Sequence, residues 1–153
     1  MRKIIILIVF VFPLLSMKPC REKEQRKVVE NYLTTLLSTE DENIEQVLSL
    51  FKISDKYTKE DLTIFSNALL EIKHYLQGNN YKIMNYRQAK RFVKKRDYDV
   101  IPSDVGTTYH IYNVTKNEII WLAPVVVNDN CEIISFALGM CDDNPEYLCF
   151  VYL

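Results

Sequence analysis

The spacing of the apolar residues changes once along this chain, and that change sets its fold class. Between Glu22 and Gly78 they recur at helical spacing. In the first segment, Glu22 to Ser38, Val28, Val29, Tyr32, Leu33, Leu36 and Leu37 form one stripe. A second, "STEDENIEQVLSLFK", places acid in its first turn after Thr39 and carries the stripe on through Ile44, Val47, Leu48 and Phe51. The third opens at Thr58 with Asp61 three residues on, a capping-box pattern, and stops at Gly78. Leu62, Phe65, Leu69, Ile72 and Leu76 line its inner face. Then the residues alternate. "TTYHIYNV", "EIIWLAPVVV", "CEIISFALGM" and "EYLCFVYL" are rich in β-branched and aromatic residues, and "TKN", "NDN" and "CDDNP" separate them as turns. The expectation is an α+β fold, with N-terminal helices packed on a C-terminal four-stranded antiparallel meander. Pro124 cannot donate to a ladder, so its strand is expected at an edge or bulged at that point.

The N-terminus carries a different signal. Arg2 and Lys3 precede an uncharged run, Ile4 to Leu15, broken only by Pro13. That run is shorter than the roughly 20 residues a spanning helix needs, and it has no polar face to suit a buried helix. The pattern predicts a secretory signal peptide over residues 1–19 and one domain over 20–153. Ser16 can stand just before a cut. "SMKPC" also resembles a bacterial lipoprotein signal in placing Cys20 soon after the apolar run, but Lys18 and Pro19 depart from it where processing reads the sequence. The expected location is the periplasm, or a membrane surface if Cys20 is lipidated. Without Arg2 and Lys3, 17 basic residues face 20 acidic ones, a net charge of about −3 that is too small to steer polyanions globally.

Four cysteines follow the apolar run: Cys20, Cys131, Cys141 and Cys149. An even count in an exported chain suggests disulfides. Cys131 and Cys141 would stand roughly 30 Å apart at the two ends of one predicted strand, too far to bridge. A Cys141–Cys149 staple would leave Cys131 for Cys20. If Cys20 is lipidated, one of the other three stays free.

Residues for catalysis are sparse. His74 sits near the end of the third helix, and His110 shares a strand face with Tyr112 and Val114. Neither has metal-ligand spacing, and no C-x-x-C occurs, so no metal, cofactor or catalytic residue is assigned. A His110–Cys131 nucleophilic pair is conceivable. The acids of "EDE", "KED" and "CDDNPE" read as caps and turns, although "DDNPE" clusters oxygens of the kind calcium takes. "NVT" at Asn113 matches a glycosylation acceptor. The basic stretch "KIMNYRQAKRFVKKRD" is more informative. As a helix it puts Arg87, Lys90, Arg91, Lys94 and Lys95 on one face, with Ala89, Phe92 and Val93 inward. Such a face suits an anionic membrane surface, a wall polymer or an acidic protein. Nucleic acid is not expected as the partner of an exported chain.

In element order the chain resembles the nuclear-transport-factor-2-like and cystatin-like cones, which rest helices on a curved sheet. The resemblance implies a pocket between helix and sheet and says nothing of activity. Three functions are open: a non-enzymatic exported module that binds a protein or envelope component, a small hydrolase with a pocket between helices and sheet, and a secreted immunity or inhibitor protein.

Overall fold

A computed structural model describes residues 19–93, 102–141, 144–150 and 152–153 of the 153-residue chain; the predicted signal peptide therefore lies almost wholly outside the described residues. Helix α1 spans Glu22–Ser38 and buries Val29, Tyr32, Leu33 and Leu36. Helix α2 spans Lys59–Leu76. Its cap forms as the sequence suggests: the Asp61 N–H donates to Thr58 Oγ1 at 3.2 Å, and the Thr58 N–H donates to Asp61 Oδ2 at 2.7 Å. Gly78 ends it with φ +75°, a conformation glycine adopts without strain.

Between these helices, Asp41–Leu50 is a 3-10 helix where an α-helix was expected. The buried pairs Ile44/Val47 and Leu48/Phe51 are each three residues apart, so they align along a helix of three residues per turn.

The strands are β1 Tyr81–Asn85, β2 Thr107–Asn113, β3 Glu118–Val127, β4 Ile133–Ser135, β5 Leu138–Cys141 and β6 Asn144–Phe150. Helix α3, Tyr86–Val93, lies between β1 and β2 in sequence. Strands β1 to β4 form an antiparallel sheet in chain order, and β5 pairs with β6 in a separate ribbon. The α+β class and the antiparallel meander hold, but the membership of the four strands changes. The first strand, Tyr81–Asn85, takes in residues 82–85 of the stretch expected to be helical. The segment "CEIISFALGM" breaks in two at Phe136. That side chain is buried, with its ring 4.8 Å from Phe51 and 6.3 Å from Phe65, and burying it turns the chain out of the first sheet.

Pro124 falls in a bulge. Tyr109 pairs with Val125 and Ile111 pairs with Ile120, so residues 121–124 all stand opposite His110. A residue with no N–H fits where the ladder is interrupted.

Alternation along β2 divides the sheet into two faces. Tyr109 and Ile111 join the main core with α1, α2 and the 3-10 helix. Tyr112, on the other face, packs with Met84 and Phe92 around Ala89, Val93 and Ile119, so α3 covers that face.

Gly106 precedes β2 where the chain crosses β3. A Cβ there would lie 2.5 Å from the Val127 carbonyl oxygen, whereas one on Gly78 would meet nothing within 4 Å. Gly106→Ala is expected to cost about 1–3 kcal/mol by overpacking against backbone. Gly78→Ala should cost only the left-handed penalty of about 1–2 kcal/mol. Urea unfolding of both variants checks the order; a Gly106→Ala midpoint equal to wild type would contradict the close approach.

Candidate functional site

Helix α3 begins without a loop. Asn85, the last residue of β1, accepts the Gln88 N–H on Oδ1 at 2.9 Å, and its own N–H donates to Gln88 Oε1 at 3.0 Å. This reciprocal cap is neutral and needs no carboxylate. Asn85 Nδ2 donates to Glu22 Oε1 at 2.5 Å, which sets the start of α3 against the start of α1. Ala89 and Val93 are buried and fix the rotation of the helix.

Arg87, Lys90 and Arg91 are all exposed, as the sequence pattern requires. At about 100° per residue they share an arc of roughly 100°, turned away from Ala89 and Val93. The Lys90 ammonium lies 5.5 Å from the centre of the Tyr86 ring and 3.4 Å from its hydroxyl. Among the described residues no carboxylate forms an ion pair with Arg87, Lys90 or Arg91. Lys94 and Lys95, which would extend the face, lie outside the described residues.

The two histidines have separate environments. His110 is buried opposite the β3 bulge and its Nε2 has no hydrogen-bond partner. Burial alone pushes its pKa down to about 4, so the ring is neutral near pH 7. Thr108, two residues away on the same face, is also buried with an unpartnered hydroxyl. His74 is exposed, and its Nε2 lies 2.8 Å from Asp41 Oδ2. The buried Lys73 donates to Asp41 Oδ1 and to the Thr39 carbonyl, both at 2.5 Å. Hydrogen bonds from Lys73, then His74, hold the Asp41 carboxyl below its ordinary range. This trio clamps the last turn of α2 to the first turn of the 3-10 helix. Its members are 32 and 33 residues apart, and no local pattern marks the pairing.

Cys20 and Cys131 form a disulfide with Cα atoms 5.4 Å apart. Cys131 is not the first residue of a strand, as expected; it lies in the turn before β4 with φ +63°. Asn128 organises that turn, its side-chain oxygen accepting the N–H groups of Asn130 and Glu132 at 3.0 and 2.9 Å. The Cys20 N–H donates to the Asp129 carbonyl at 2.8 Å.

With its sulfur bonded to Cys20, Cys131 is not available as a nucleophile for His110. A sulfur held in this way also cannot carry a lipid thioether. The ligand atoms of Cys20, Glu24 and Cys131 lie within 4.8 Å of one another, but the disulfide leaves no thiolate to bind a metal. In the β5–β6 ribbon, Cys141 is registered with Asn144 and Cys149 with Gly139; the side chains of both cysteines lie outside the described residues. So do Asp142 and Asp143 of the calcium-like turn. Asn113, the glycosylation match, is fully buried; its Oδ1 accepts the Lys116 N–H at 3.0 Å and its Nδ2 is enclosed. Its amide is thus withdrawn from modification in the folded chain.

No family model, curated protein or solved structure matches this chain.

Two outcomes are expected. Between pH 6.5 and about 4 the unfolded chain takes up a proton on His110 that the folded chain does not, so acid erodes stability across that window. The size is about 3 kcal/mol. Wild type minus His110→Gln, measured by urea unfolding at several pH values, isolates this slope from that of the carboxylates. Parallel pH profiles would show that His110 is not buried as described. For the disulfide, non-reducing peptide mapping of the native protein should yield a Cys20–Cys131 linked pair without lipid mass. The double Cys→Ser variant should lose about 2–5 kcal/mol, because the bridge closes a long loop. A lipid adduct on Cys20 would overturn the assignment.

Proposed function

We propose that this chain is an exported cell-envelope protein, a non-enzymatic module that binds an anionic partner through the basic face of α3. One observation carries the reading: Arg87, Lys90 and Arg91 are exposed on one arc of α3 and have no carboxylate partners among the described residues. Arg21 and Arg26 are paired, with Glu24 at 2.7 Å and Glu30 at 3.0 Å, whereas exposed Lys23, Lys27, Lys56, Lys59 and Lys82 form no ion pair either; what sets α3 apart is three such cations on one arc of one short helix. Cations left unneutralised over a packed, capped helix are free to attract an external anion. Export rests on the Arg2-Lys3 start and the apolar run of residues 4–15. The disulfide between Cys20 and Cys131 suits an oxidising compartment.

The hydrolase alternative finds less support. The Cys–His pair lacks a free Cys131, and the His74–Asp41 contact shares its carboxylate with Lys73. An inhibitor acting on an acidic protein surface would use the same cations and is an outcome of the tests below.

Inorganic polyphosphate is a suitable soluble probe. The full chain should bind it, and the binding should weaken as NaCl rises, because charges are screened within about 8–10 Å at physiological ionic strength. R87E/K90E/R91E should abolish binding with little change in thermal stability, since exposed charges contribute about 0–1 kcal/mol each. Unchanged polyphosphate affinity in the folded variant would refute the reading.

A further inference from the structure

We infer that the open edge of β1 receives an extended acidic segment of a partner protein, which pairs with it as an added antiparallel strand. This rests on reading α3 as an anion-binding face and names the partner's chemistry. The two edges of the β1–β4 sheet are finished differently. At the β4 edge Phe51 bridges to Ile133, the Lys52 N–H donates to the Ile133 carbonyl and the Leu153 N–H to the Ile134 carbonyl, both at 2.8 Å. Among the described residues, strand β1 has a neighbour on one side only, β2. The Val114 N–H donates to the Asn80 carbonyl, one step beyond the Tyr81–Asn113 pair. Hydrogen-bonded pairs alternate along an antiparallel ladder, so Lys82 and Met84 also aim their main-chain groups at β2. Those of Tyr81, Ile83 and Asn85 point to the open edge. Gln88 takes the Asn85 N–H. The N–H and C=O groups of Tyr81 and Ile83 have no partner among the described residues. Unpaired main-chain groups in a row are a template for another strand.

Charge selects the occupant. A strand that bonds to both Tyr81 and Ile83 sets one residue opposite Lys82 in a non-hydrogen-bonded pair. Side chains approach most closely there, with Cα atoms about 4.5 Å apart. Lys82 is exposed, forms no ion pair and shares a sheet face with Met84, the face that α3 covers. A second copy of this chain, paired so as to use all of these main-chain groups, would set one Lys82 against the other, and like charges directly opposite are unfavourable. An acidic residue at that place is favoured instead. Just past the strand, Arg87 stands in the first turn of α3, with Lys90 and Arg91 following on the same arc. Neither β1 nor α3 contains a carboxylate. On the other sheet face, Ile83 belongs to the main core and Tyr81 packs against it, so apolar side chains of an added strand would continue that surface. The segment that fits alternates acidic and apolar residues.

The test uses the full chain and a short capped peptide of alternating glutamate and valine. The peptide should bind, and more weakly as NaCl rises. With glutamate opposite Lys82, the valine amides face β1 and the glutamate amides face away. N-methylation of the valines should therefore abolish binding, and N-methylation of the glutamates should leave it. By amide hydrogen exchange, Tyr81 and Ile83 should be unprotected in the free chain and protected in the complex, while Lys82 and Met84 are protected in both. K82E should weaken the peptide by roughly tenfold, since it replaces an attraction with a repulsion. Equal binding of the valine-methylated peptide would mean a contact by charge alone and would overturn the inference. So would protection of Tyr81 and Ile83 in the free chain, which would mean that the edge is already covered. A peptide of alternating lysine and valine that binds equally well would overturn the choice of an acidic partner. If wild type binds polyphosphate through α3 but not the peptide, the α3 reading stands and the added strand falls. If it binds neither, both fall.

Discussion

The first turn of α1 is tied to several distant parts of the described chain at once. Cys20, just before it, is bonded covalently to Cys131 and through its N–H to Asp129, both in the turn between β3 and β4. The Tyr109 hydroxyl, reaching across from β2, donates to the Glu22 carbonyl and to Gln25 Oε1, each at 3.2 Å. Glu22 takes the Asn85 amide, and Arg21 is held by Glu24 through its backbone N–H and its guanidinium. That arrangement lowers the Glu24 pKa to about 2. Sheet, second layer and N-terminal helix thus meet at one turn. A covalent bond spanning 111 residues restricts the unfolded chain strongly, so this junction also bears on stability as a whole.

From that junction the two faces of the sheet take different roles. The first buries aliphatic and aromatic side chains from both long helices, which is where most of the hydrophobic stabilisation arises. The second is smaller and carries polar groups, with His110 and Thr108 buried and unpartnered beneath the layer that holds α3. The functional reading falls on its outer surface, where α3 shows its cations.

Those cations are free for a local reason. Most helices in this chain carry acid in their first turn, whereas α3 is capped by the neutral Asn85–Gln88 pair and has none. The charge that would otherwise neutralise Arg87, Lys90 or Arg91 is simply not built into their helix. The buried side, set by Ala89 and Val93, then fixes which way they face.

Local physics was readable in the residues. The bounds of α1, the Thr58 cap and Gly78 stop of α2, the interruption at Pro124 and the basic arc of α3 depend on neighbours within one or two turns. The amino-acid sequence by itself therefore determined the α+β class, most of the helices and the exposed cationic face. Only the tertiary structure decided the rest. Residues 82–85 look like part of the basic helix until β2 offers them a ladder. "CEIISFALGM" looks like one strand until the Phe51 and Phe65 rings draw Phe136 into the core. The 3-10 geometry of residues 41–50, the clamp of Lys73 and His74 on Asp41, and the partner of Cys20 all depend on groups far apart in the chain. Spacing cannot encode such pairings, because folding brings the partners together by burying surfaces that no short window contains.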